Sequence, residues 1–131
     1  MKHIRIIIEK STDDYFWAYA ENENITGGGK TPQACKQDIL DAIETMKSFD
    51  ENNRPAWLDG DYEITYKYDV QSMLNNYKGI ISNPAFEKLT GINQKLMYQY
   101  SAGLKKPRPN QRKKIEHGLH QLGKELLAIE L

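Results

Sequence analysis

The sequence predicts an α+β protein of two modules, a small β-β-β-α-β unit over residues 1–68 and an all-helical unit over residues 69–131. Three observations predict it. Runs of β-branched and aromatic residues fall in the first half, and glycine- and proline-punctuated helical periodicity fills the second. Charge divides at the same place. Lys+Arg and Asp+Glu both number 18, for a formal net charge of +0, yet residues 1–68 hold 8 basic and 13 acidic side chains, net −5, and residues 69–131 hold 10 and 5, net +5. Halves of opposite sign suit different partners, a basic one phosphate and an acidic one something basic.

Within the first half, Ile4, Ile6 and Ile8 lead a β-prone run, Lys10 to Asp14 supply a polar turn, and Tyr15-Phe16-Trp17-Ala18-Tyr19-Ala20 is a second run. That is a hairpin signal. Ile25-Thr26-Gly27 is consistent with a short third strand, and the run Gly27-Gly28-Gly29 reads as a turn, since it lacks the Gly-Lys-Ser/Thr ending of a phosphate loop. Thr31 then caps a helix with Pro32 at its first position, continued through Ala34, Asp38, Leu40, Ile43, Met46 and Lys47, with its apolar positions on one face expected to pack on the sheet. Residues 48–61 carry loop chemistry in Asn52, Asn53, Pro55 and Gly60, and Tyr62 to Tyr68 alternate as a half-buried strand. The unit closes there, with the boundary at Asp69.

The second half reads as four helices: residues 70–78 ended by Gly79, a helix restarted at Asn83-Pro84 and stopped by Gly91, residues 94–102 capped by Asn93 and ended by Gly103, and a last helix from Pro109 to about residue 129. A mean hydropathy of −0.73 leaves no apolar stretch long enough to cross a bilayer, so no membrane partner is expected. The start, Met1 to Glu9, has too short an apolar run for a signal peptide, which predicts a cytoplasmic location. The single cysteine, Cys35, has no partner for an internal disulfide and no nearby His at metal spacing, and reads as a small buried or half-buried helix residue. No metal and no cofactor are expected.

Function is carried by residues 86–103 and the basic segment that follows. Gly91 permits the tight turn that sets two helices at a steep angle, and Ile92 inserts into the core to hold it. Leu89, Leu96 or Met97, and Tyr100 face inward at helical spacing. Gln94, Lys95, Tyr98 and Gln99 then point away, with Asn93 at the capping position, where a helix presents polar groups to a DNA major groove. Gln can hydrogen-bond adenine in bidentate fashion, and Lys favours guanine acceptors or phosphate. Lys105, Lys106, Arg108, Arg112, Lys113 and Lys114 follow at once as candidate phosphate contacts. This stretch resembles the helix-turn-helix of the Cro/repressor class in its glycine before the turn, its capping residue, its glycine after the second helix and its Lys105-Lys106-Pro107 segment. Such units read two half-sites, so a homodimer or higher even oligomer on operator DNA is expected. The candidates for holding two chains together are the exposed edge of the first module's sheet and the end of the last helix, where Leu126, Leu127, Ile129 and Leu131 are expected to be available to a second chain.

The first half, with Lys2 to Lys10, Asp13 to Tyr19 and Gly28-Gly29-Lys30-Thr31-Pro32-Gln33-Ala34, resembles the HicB antitoxin domain over residues 1–68. The resemblance implies an antitoxin whose N-terminal domain masks a small basic mRNA-cleaving toxin of the HicA type, while its C-terminal helix-turn-helix represses their shared operon. Two other readings compete. Glu9, Asp13, Asp14, Glu21 and Glu23 could gather a metal for an enzyme, but they fall at turns and strand ends where acids serve solvation, and His3, His117 and His120 complete no cluster, so no catalytic residue is expected. The other is a stand-alone transcriptional regulator whose first module dimerises or binds a ligand.

Overall fold

The computed structural model describes residues 1–11 and 13–131. Strands β1 (Lys2–Lys10) and β2 (Phe16–Ala20) form the expected antiparallel hairpin, with Ile6 opposite Ala20 and Lys10 opposite Phe16. β3 (Thr26–Gly29) pairs antiparallel outside β2, and β4 (Tyr62–Tyr68) runs parallel to β1 on its other side with Ile4 opposite Ile64. The result is a four-stranded mixed sheet in the order β3-β2-β1-β4. Helix α1 (Pro32–Lys47) lies on the chain path from β3 to the parallel β4. Its start is set as its sequence requires, with the Thr31 hydroxyl accepting from Ala34 N at 3.1 Å and Pro32 in the first turn.

Two sequence expectations in this unit are corrected. The run Gly27-Gly28-Gly29 is the body of β3 and not a turn. Glycine is needed there for close approach. A Cβ on Gly29 would lie 2.5 Å from Ala34 Cβ, one on Gly27 would lie 3.2 Å from Asp38 Cβ, and one on Gly28 would lie 2.9 Å from the Trp17 ring. Helix α1 also turns a partly different stripe inward: Ile43 is buried as expected, but with Cys35 and Ile39, four residues apart, while Leu40 is 40% exposed. Leu40 follows Ile39 by one position and so projects about 100° around the helix from it. The buried stripe joins Ile4, Ile6, Ile8, Ala18, Ala20, Ile25 and Leu58 in one core. Residues 48–61, expected as loop, include two short 3₁₀ turns, Glu51–Asn53 and Ala56–Asp59, the second of which supplies Leu58.

The chain divides into two compact units, Met1–Asp69 and Val70–Leu131. In the second are α2 (Val70–Asn76), α3 (Asn83–Thr90), α4 (Gln94–Ser101) and α5 (Pro109–Leu127). Helix α2 stops two residues short of its expected end, and α5 also ends two residues early. Met73, Leu74, Phe86, Ile92, Met97, Tyr100 and Ile115 are buried, one set of apolar side chains drawn from all four helices and the turn between α3 and α4. Helix α5 passes close over α3 at Gly118, where a Cβ would lie 2.8 Å from the Leu89 carbonyl oxygen. Among the described residues no helix is long and apolar enough to cross a membrane.

Candidate functional site

The segment from α3 to the start of α5 is wired tightly along its own backbone. The Ser82 hydroxyl caps α3, accepting from Ala85 N at 3.2 Å, and Gly91 ends it in the left-handed region at φ 75 and ψ 3, with its N–H on Glu87 O. A side chain at that φ costs strain, which is why glycine stands there. The Thr90 hydroxyl donates to Phe86 O at 2.6 Å and accepts from Ile92 N at 3.1 Å, so the turn's donors are engaged while Ile92 is driven into the core. The Asn93 side-chain oxygen accepts from Lys95 N at 2.7 Å and Glu87 Oε1 accepts from Gln94 N at 3.1 Å, so α4 begins with two of its free N–H groups satisfied. Glu87 thereby ties α3 to α4. No sequence rule singles it out, because the bond spans seven residues and depends on the angle between the helices.

Gln94, Lys95 and Tyr98 are exposed along α4, opposite the buried Met97 and Tyr100. Gln99 is half-buried at the border of that face, and its carbonyl accepts from Leu104 N at 2.9 Å. Asn93 is exposed, but its side-chain oxygen is spent on the cap. Of the residues expected inward, Met97 and Tyr100 are fully so, whereas Leu89 and Leu96 are half-buried. After α4 the chain reverses at Gly103, φ 76, which packs against the Gln71 side chain from α2, and the Asn75 amide donates to Ser101 O at 2.8 Å. These contacts hold the segment that follows. Lys105, Lys106 and Arg108 are exposed on it, and Arg112, Lys113 and Lys114 are exposed at the start of α5, which has no acid in its first turn. Among the described residues no ion pair engages any of these six cations, and every ion pair falls within residues 1–69. Unneutralised charge on one short stretch attracts phosphate.

The acids of the first unit are arranged differently. Glu23 pairs with Lys2 at 3.0 Å, Glu21 with Arg5 at 3.6 Å, and Asp14 with Lys10 at 3.3 Å, while Asp13 takes the Ser11 hydroxyl and Glu9 takes the Tyr19 hydroxyl. Among the described residues no three His, Cys, Asp or Glu side chains are placed to hold a metal. His3 bridges Glu63 and Thr65 on the sheet, and His117 and His120 are exposed on α5. Cys35 is buried, its thiol donates to Phe16 O, and burial pushes its pKa up, the opposite of what a reactive thiol needs. The face of the sheet turned away from the core presents Trp17, 54% exposed, with the Tyr15 ring 4.9 Å from it, and Tyr19 beside Glu9.

Comparison of the chain with protein-family models, with curated proteins and with solved structures found no match in any of the three.

Proposed function

We propose that the chain is a DNA-binding antitoxin: its second unit reads operator DNA through a helix-turn-helix formed by α3 and α4, and its first unit binds a small basic protein partner. The observation that carries the DNA reading is the coincidence, on one stretch, of a rigid Gly91-Ile92-Asn93 turn, the exposed row Gln94, Lys95 and Tyr98, and six unpaired cations from Lys105 to Lys114. In this reading α4 lies in the major groove, Gln94 and Lys95 meet base edges, and the basic segment meets phosphates. Packing alone would require none of those exposed groups.

The antitoxin half of the reading rests on the likeness to the HicB domain in residues 1–68, whose β-β-β-α-β element order the fold carries, and on that region's net charge of −5. A small basic toxin of the HicA type is the expected partner, and repression of the shared operon is the expected consequence of DNA binding. The test is co-expression of the chain with the small basic protein encoded beside it, if one is. Relief of growth arrest by the full chain, with a DNA-binding-deficient variant such as Lys105→Ala/Arg112→Ala relieving it equally, supports two separable activities. DNA binding with no such neighbour and no protein partner leaves a stand-alone regulator instead.

A further inference from the structure

Tyr98 is the one exposed aromatic side chain on α4 among the described residues, 56% accessible, one helical turn beyond Gln94 and three residues beyond Lys95. It is not used by the fold. Among the described residues its ring takes part in no ring stacking and its hydroxyl in no hydrogen bond, while the neighbouring Met97 and Tyr100 carry the packing. Residues four apart on a helix are neighbours on its surface, so whatever Gln94 meets, Tyr98 meets within one or two base-pair steps.

A major-groove floor offers an aromatic ring very little apolar surface. Its donors and acceptors suit Gln94 and Lys95, and its only apolar group on an unmodified base is the C5-methyl of thymine. We infer that Tyr98 reads a pyrimidine C5-methyl group, so that the chain's DNA sites contain a thymine, for which 5-methylcytosine can partly substitute, within two base-pair steps of the base pair met by Gln94. This inference rests on the proposal that α4 enters the major groove. It adds the base class that the aromatic side chain selects and a sensitivity to cytosine methylation.

The experiment begins with the full chain and a randomised duplex library. Failure to enrich any sequence overturns the DNA reading itself and this inference with it. From an enriched site, each thymine is replaced in turn by deoxyuridine, which removes only the methyl group. One position per half-site is expected to weaken wild-type binding by about fourfold, the share of one buried methyl-sized group. At that position Tyr98→Ala is expected to bind thymine and uracil sites equally, and Tyr98→Phe to keep the wild-type discrimination. Replacing a cytosine paired at that position in a thymine-to-cytosine variant site by 5-methylcytosine is expected to recover affinity for wild type and not for Tyr98→Ala. Sites enriched as before, with Tyr98→Ala keeping the full thymine-over-uracil preference, overturn the methyl reading alone. So does loss of that preference in Tyr98→Phe, which would assign the contact to the hydroxyl. Since Tyr98 is exposed, none of these variants removes a core group.

Discussion

Gly118 and Gly123 lie five residues apart on α5 and respond oppositely to an added methyl. A Cβ at Gly118 meets the Leu89 carbonyl oxygen at 2.8 Å, backbone that cannot yield without moving α3, whereas one at Gly123 has nothing within 4 Å. Gly118→Ala is therefore expected to destabilise the second unit by about 1–3 kcal/mol through overpacking, and Gly123→Ala to stabilise it by roughly 0.5–1 kcal/mol through helix propensity. Denaturant midpoints of the two variants check both signs. For the proposed DNA contacts, Gln94→Ala should cost about 1–3 kcal/mol on the preferred site and relax selectivity at one base position. Lys105→Ala and Arg112→Ala should weaken binding to all sequences and each lower the slope of log affinity against log salt by about one. A slope that does not change would place those two cations away from phosphate. Cys35, legible in the sequence as a small buried helix residue, is expected to resist thiol reagents in the native chain and to react on unfolding, because burial both hides it and raises its pKa.

At the scale of the element, the turn between α3 and α4 separates what a residue does for the fold from what it offers a ligand. Asn93 caps α4 and, in the proposed reading, stands beside the DNA, so Asn93→Asp parts the two: aspartate caps as well as asparagine, so stability should be kept, while the added negative charge should weaken DNA binding. Asn93→Ala should lose about 1 kcal/mol of stability instead. Thermal unfolding beside salt-dependent binding distinguishes the two. The start of this helix was legible because capping is local chemistry: Asn93, Gly91 and Gly103 announce themselves by residue type and spacing. β3 was not legible in the same way. Three glycines in a row read as a turn from local propensity, and they form a strand because β2 pairs with them, while Ala34, Asp38 and Trp17 crowd the space their side chains would take. The inward stripe of α1 is hidden in the sequence for a related reason, since Leu40 and Ile39 are both strongly apolar and only the sheet decides which one it meets.

For the molecule as a whole, the expected oligomer makes its demand on the end of α5. Leu126, Leu127 and Ile129 are 56%, 90% and 58% exposed, apolar surface that this unit's own core does not cover. One helix-turn-helix spans too few base pairs to choose among the competing sites of a genome, so the proposed function calls for two copies at fixed spacing. Truncation after Lys124 is expected to convert a dimer to a monomer in light scattering and to lower operator affinity. A truncated chain that stays dimeric would move the contact elsewhere, with the edges of the four-stranded sheet the next candidates.

The sequence by itself determined the α+β class, the order of strands and helices, the Thr31 and Asn93 caps that open α1 and α4, the Gly91 that ends α3, and the charge division between the two halves, because each of these depends on residues close together in the chain. Only the tertiary structure decided that the glycine run is an edge strand, that Cys35, Ile39 and Ile43 rather than Leu40 face the sheet, that Glu87 closes the start of α4, and that Gln99 is drawn partly under the surface while Tyr98 stands clear of it. Those outcomes depend on which surfaces the fold brings within a few ångströms of one another, and no spacing along the chain encodes that distance.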